Sequence, residues 1–328
     1  MIRRFWSVLI LVAVLSSSCQ QKRNTNSAIQ HNVPIQDEQL IDSVQKQTFK
    51  YFWEGAEPNS GLARERIHID GEYPQNDENV VTIGGSGFGL MSVLVALHNN
   101  YITKEEGLQR FQKALGFLSN AERFQGAWAH WYHGDTGKAK AFSKKDDGGD
   151  IVETAFMAQA LIAIREYYKD GSDAEKQIAN LADSLWRDIN WDFYRNGKDV
   201  LYWHWSKNAG WGMGHAIQGF DECLIAYILG ASSPTHPIPI SAYHKGWARN
   251  GAISTDITKY GIPTVLKHNA KEGEVGPLFW SHYSFLGLNP NGLSDTYANY
   301  KDVVVNHTKI NIEYAKENPK NFKGYGAD

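Results

Sequence analysis

The sequence is poor in cysteine. Of its 328 residues only Cys19 and Cys223 are cysteines, so a framework of several disulfides is excluded and stability must come from a packed core. Strong β-signals are scarce, with only Gly61–Asp77 and Gly197–Trp205 reading as short hairpins. No zinc-type spacing, P-loop or dinucleotide fingerprint appears. Gly84-Gly85-Ser86-Gly87-Phe88-Gly89 is glycine-rich but lacks a preceding strand and a following Lys-Ser/Thr. The net charge of -3 carries no basic footprint, so nucleic acid is not an expected partner. No cofactor and no metal is expected either. His130, His133, His204, His215 and His282 do not fall at metal spacing.

Aromatic residues are plentiful, with 11 tryptophans and 16 tyrosines. The N-terminus reads as an address. Arg3 and Arg4 precede the apolar run Phe5–Leu15, then Ser16-Ser17-Ser18-Cys19. The apolar run is short for a membrane span. The pattern resembles a bacterial lipoprotein signal over residues 1–19 with Cys19 lipidated, which implies an exported, membrane-anchored protein, periplasmic or at the outer membrane. A plain secretory signal is the alternative. Residues 20–36 are polar and read as a flexible tether, leaving 37–328 as the folded domain.

Along that domain, amphipathic and fully apolar segments alternate. Asp37–Glu54, Lys104–Glu122, Ser172–Ile189 and Tyr300–Glu317 carry one apolar stripe, and Ser241–Arg249 reads as a short helix of the same kind. Ser86–His98, Asp150–Tyr167 and Phe220–Leu229 are apolar nearly all round, and Glu274–Leu286 is inner-like. A helix apolar on every side must be covered on every side. Outer helices shielding inner ones that face each other across a ring satisfy this, so the fold class is all-α, an α/α toroid-type barrel. A two-layer solenoid is the structural alternative.

The chemistry gathers at Lys144–Ile164, KKDDGGDIVETAFMAQALIAI. Asp146, Asp147 and Asp150 surround Gly148-Gly149, and Asp150 with Glu153 reads as an N-cap and N3 pair at the mouth of a buried helix. That spacing also suits any capped helix, but Asp146 and Asp147 are not needed for capping. Glu222 opens the next inner helix among apolar neighbours, a setting that keeps a carboxylic acid protonated. In a ring the starts of successive inner helices converge on one rim, so Glu222 is expected across a cleft from the acidic cluster.

The long loops before the inner helices hold Trp128, His130, Trp131 and Tyr132, then Trp203, His204, Trp205 and Trp211, with Trp280 and His282 further on. Aromatic faces interleaved with hydrogen-bonding groups suit the C–H faces and hydroxyls of a sugar chain. Two carboxyl groups across such a cleft imply glycoside hydrolysis.

Three strings in order, DDGGDIVETAF, GFDECLIAYIL and GPLFWSHYSFLGLNP, resemble the glycoamylase-like domain of bacterial lipoproteins and most closely glycoside hydrolase family 144. The resemblance covers roughly Gln39 to the end. It implies an (α/α)6 barrel cleaving β-1,2-glucan with inversion, by endo attack or by release of sophorose from an end. It places the important acids on Asp146, Asp150 and Glu153 and the proton donor on Glu222. A water-orienting group is expected in the Asp146–Asp150 loop or beyond the C-terminus. Four inner helices are counted where six are needed, so the ring is expected to be incomplete. The alternatives are a non-catalytic surface glycan-binding lipoprotein, an α-glucan-cleaving glucoamylase, and a lyase on a similar toroid. Oligomeric state is not legible.

Overall fold

The computed structural model describes residues 35–326. The expected signal, its Cys19 and all but the last two residues of the expected tether lie outside them. The first helix, α1 (Ile35–Trp53), begins two residues inside that tether. The chain divides into two compact units within α1, at Asp42. The second unit, from Ser43 onward, carries the helical layers and the acidic cluster.

The expected alternation is present. The inner helices α2 (Ile83–His98), α4 (Ile151–Tyr168) and α6 (Leu224–Ser232) pack in that order, while α3 (Lys104–Asn120) and α5 (Asp173–Arg187) cover them from outside. Outer helices α3 and α5 open with complete capping boxes, Thr103 with Glu106 and Ser172 with Glu175, which satisfies their free N–H groups at the exposed end. The last helix, α8 (Tyr300–Glu317), has the expected bounds. The fold is a mostly helical two-layer α/α arrangement of the toroid type.

The glycine-rich run that reads like a nucleotide loop has a packing role. A Cβ on Gly87 would lie 2.6 Å from the Phe156 carbonyl oxygen, and one on Gly84 would lie 2.3 Å from the Glu153 carboxylate. Glycine lets the first turns of α2 lie directly on α4, the most extensive helix contact among the described residues.

Strands pair differently from the expectation. Neither expected hairpin forms. Instead β1 (Val80–Thr82) pairs with β2 (Trp131–His133), which pairs with β3 (Ala139–Lys140). Further on, β4 (Gly149–Asp150) pairs with β5 (His204–Trp205), and β6 (Thr258–Lys259) with β7 (Ile262–Pro263). The first two sheets stitch the long loops to one another, so partners distant in sequence hold the rim. Near the end, Glu274–Leu286 is not one continuous helix: a non-helical stretch leads into one helical turn, α7 (Phe279–His282), and a 3-10 turn, Tyr283–Phe285. Segment 241–249 is a single π-type turn, Ala242–Trp247, with Trp247 fully buried, rather than an outer helix.

Candidate active site

Strand β4 ends at Asp150 and α4 begins one residue later. The pairing of Gly149 with Trp205 and of Asp150 with His204 draws the acidic loop against the Trp203–Trp205 loop. Both glycines of the loop are required by this contact. A Cβ on Gly148 would meet the Trp205 carbonyl at 2.4 Å, and one on Gly149 the Tyr194 hydroxyl at 2.0 Å. The two glycines therefore serve a close approach to the protein's own backbone and side chains.

Asp150 is fully buried. Its Oδ1 accepts the N–H groups of Val152 and Glu153, both at 2.9 Å. Its Oδ2 accepts the Trp203 indole N–H at 2.9 Å and lies 3.1 Å from His130 Nδ1. With both oxygens engaged and no exposure, Asp150 organises the site without reaching into a cavity. The expected capping box is half made. Glu153 does not return to Asp150; its Oε2 accepts the Gly84 N–H of α2 at 2.8 Å, and its Oε1 lies 3.9 Å from His130 Nε2.

His130 stands among three carboxylates. Its Nδ1 is also 4.0 Å from Asp146, and its ring stacks on Phe142 at 4.3 Å. Burial would push its pKa down, but the hydrogen bond and charge of Asp150, with Glu153 and Asp146, raise it to about 9. Burial pushes Asp146 up to about 7, with Asp150 adding to this and His130 opposing it. Asp146 Oδ1 is 3.6 Å from His204 Nε2 and finds no hydrogen-bond partner among the described residues. Burial likewise raises Glu153 to about 7, again opposed by His130. His130, Asp146 and Asp150 present ligand atoms close enough together to hold a cation, but an imidazolium already supplies positive charge there.

Glu222 lies on the same rim, in the turn before α6 rather than at the helix start. Burial raises its carboxyl to about 8, with smaller contributions from Asp221, Glu153 and Asp150. A cavity of about 680 Å3 is lined by His130, Glu153, Arg64, Phe88, Phe156 and Tyr283, among others. The Tyr283 hydroxyl feels the charge of both Glu153 and Glu222, which ties the two carboxyls to one neighbourhood.

Several expected sugar contacts are placed elsewhere. Trp128 is fully buried, its indole N–H donating to the Leu118 carbonyl at 3.2 Å and Arg123 lying over its ring at 4.1 Å. Tyr132 is fully buried, bonded to Glu122 and Ala129. His204 is buried and accepts the Gly148 N–H at 2.9 Å. Tyr132 and His204 are core because strand pairing turns alternate residues inward, and Trp128 is held inside by its bonds to Thr154 and Leu118. Asp147 is a loop brace, accepting from Asn208 at 2.8 Å. Burial opposes its charge, but bonds from Ser206 and Asn208 hold its pKa low. Trp205 and Trp211 pack on Phe193. Trp280 packs toward His268, and His282 meets Thr308 of α8, so neither lines the cavity. Trp131 and Trp203 remain partly exposed beside the acids. Tyr283, Arg64 and Phe88 are the residues that sequence reasoning passes over. Tyr283 sits inside the string GPLFWSHYSFLGLNP, where tryptophan and histidine draw attention first.

Inner and outer helices with carboxyls gathered on one rim define an α/α-barrel of the glycosidase kind. Residues 214–328 match the Glycoamylase family ("Putative glucoamylase"). The chain is similar to the endo-β-1,2-glucanase from Chitinophaga pinensis, solved with sophorotriose and glucose. Identity is 54%, covering 88% of this chain and 69% of that one, with a TM-score of 0.85. The β-1,2-glucanase from Parabacteroides distasonis is 39% identical, over 89% of this chain and 43% of that one, with a TM-score of 0.80. A curated relative from the same organism, an exo β-1,2-glucooligosaccharide sophorohydrolase acting at the non-reducing end, is 39% identical over 97% of this chain. The chain spans 45% of that relative's length. The chain belongs to the glycoamylase-like, family 144 type of glycoside hydrolases.

Proposed function

We propose that this chain forms the catalytic rim of an inverting glycoside hydrolase acting on β-1,2-glucan. The observation that carries the reading is the meeting of Glu153 and Glu222 around Tyr283, with burial raising Glu153 to about 7 and Glu222 to about 8, so that near neutrality Glu153 loses its proton before Glu222 does. Glu222 keeps its proton and donates it to the leaving glycosidic oxygen. Glu153, facing the cavity, orients water once ionised. Asp150 holds His130, and His130 holds the charge balance of Asp146 and Glu153. Trp131, Trp203, Phe88 and Tyr283 offer ring faces to glucose units. The linkage and the inversion rest on the family, whose relatives carry both endo and exo names.

The test is incubation with linear β-1,2-glucan and, separately, with starch. Reducing ends and sophoro-oligosaccharides from the first alone are the expected result. Glu222→Gln should lower turnover by about 10²–10⁴-fold with binding retained. Binding without products would favour a glycan-binding role, and glucose from starch an α-glucanase. A mixture rich in sophorose from the outset marks exo action, and mixed lengths mark endo action. Lipidation at Cys19, and with it membrane anchoring, is part of the same proposal. Fatty-acid labelling that survives Cys19→Ser would overturn it.

A further inference from the structure

Helix α6 begins late for its sequence. The chain is apolar around Glu222 and onward, yet the helix opens only at Leu224. The cause is a hydroxyl from another segment. Ser284, 1% exposed, donates to the Glu222 carbonyl at 2.6 Å and accepts the Ile225 N–H at 3.1 Å. It stands between a C=O and an N–H that a tight turn would bond directly. The turn is held open by the width of one oxygen, with Glu222 in it. Its neighbours are pinned as well. Asp221 accepts the Cys223 N–H at 2.9 Å. Phe220 exchanges backbone bonds with Lys267 and Asn269 at 3.1 and 2.9 Å.

Ser284 is in turn placed by α4. Gln159, 5% exposed and further along the helix that carries Glu153, accepts the Gly287 N–H at 2.8 Å. It also donates to the Tyr283 carbonyl at 3.4 Å. The 3-10 turn containing Ser284 is thereby clipped to α4 on both sides. We infer that Gln159 and Ser284 form a strut that sets the separation between Glu153 and Glu222, and that both are positioning residues for glycosidic cleavage. The inference rests on the proposed function for its chemistry but not for its geometry.

The experiment uses the intact protein and two removals, Ser284→Ala and Gln159→Met, with Ser284→Thr as the conservative control. Glu222 is titrated by carbon-13 NMR in each, alongside kcat, KM and melting temperature. In Ser284→Ala, kcat on β-1,2-glucan falls about tenfold to a hundredfold, as for a misplacement near an ångström, while KM holds. The Glu222 carboxyl titrates lower, because its turn relaxes toward water. Ser284→Thr restores most of both. Gln159→Met moves both in the same direction, and it decides the matter if Ser284→Ala does not fold. A folded removal variant with wild-type kcat and wild-type Glu222 titration overturns the strut. So does a loss of kcat that follows melting temperature alone. A wild-type protein inert on β-1,2-glucan sinks the proposed function, and the Glu222 titration then still tests the strut.

Discussion

Glu153 Oε2 accepts the backbone N–H of Gly84 at 2.8 Å, joining the first turn of α4 to the first turn of α2. The N-cap residue of α2, Thr82, makes no side-chain cap. A carboxylate from the neighbouring helix therefore takes one of the orphan N–H groups and sits where the helix dipole favours negative charge. That bond lowers the pKa of Glu153 against the burial that raises it. A methyl at Gly84 would fall 2.3 Å from Oε2. Gly84→Ala should cut kcat by about a hundredfold. Alanine is also worth about 0.5–1 kcal/mol over glycine inside a helix, so melting temperature should fall little. Calorimetry beside initial rates separates the two, and unchanged kcat would show that Glu153 is not held for catalysis.

The helical layers were legible because period and apolarity agree over long segments. The bounds of α8 follow from its pattern, and the capped start of α4 from Asp150. The loops were not legible, because their structure comes from partners far away in sequence. Trp128 and Trp203 look alike as loop tryptophans. Only the hydrogen bonds to Thr154 and Leu118, and the Arg123 guanidinium over its ring, make the first a core residue. The late start of α6 was equally hidden, since the hydroxyl of Ser284 arrives from another element.

Stability should fall as pH rises. Asp146, Glu153, Asp221 and Glu222 all have folded pKa values above their ordinary ones, at about 7, 7, 6 and 8. Each group contributes fully below its unfolded pKa, near 4, and loses that contribution as pH climbs through the folded value. His268 runs the other way. Burial, helped by His307, lowers it to about 3, so its contribution is lost as pH falls from 6.5 toward 3. Melting temperature should accordingly decline between about pH 5 and pH 8, the window those carboxyls define. Glu222→Gln removes the largest single carboxyl contribution to this slope. It should melt above the wild type at about pH 8.5, with a gap that narrows toward about pH 5. A gap independent of pH would mean that Glu222 is not held protonated.

Two tryptophan substitutions should part company. Trp128→Phe loses the bond to Leu118 and the Arg123 contact, both away from the cavity. Its cost should be about 1–3 kcal/mol in denaturant unfolding, with kcat and KM unchanged. Trp203→Phe strips one hydrogen bond from the buried Asp150 carboxylate, at a similar cost of about 1.5–3 kcal/mol for a charged acceptor. Here activity should fall too, because Asp150 orients His130 and Trp203 is partly exposed at the rim. Equal kinetic behaviour of the two variants would contradict the division between core and rim.

His130 allows the electrostatics to be tested directly. Its ring is within 4.0 Å of Asp146, Asp150 and Glu153, and its charge opposes the rise in both Asp146 and Glu153. His130→Gln keeps a polar side chain and deletes that charge. The carboxyls then become harder to ionise, so both pKa values rise further above about 7. The acidic limb of the kcat profile, set by the group that must be ionised to orient water, should move to higher pH. The alkaline limb is set by Glu222 near 8, whose carboxyl answers first to burial and then to Asp221, and to His130 only through the smaller contribution of Glu153, so it should move less than the acidic limb. The bell narrows chiefly from the acid side, and peak turnover drops because fewer molecules hold one ionised and one protonated carboxyl together. A profile that shifts as a whole, or a narrowing chiefly from the alkaline side, would place the ionised partner of the reaction outside the His130 cluster.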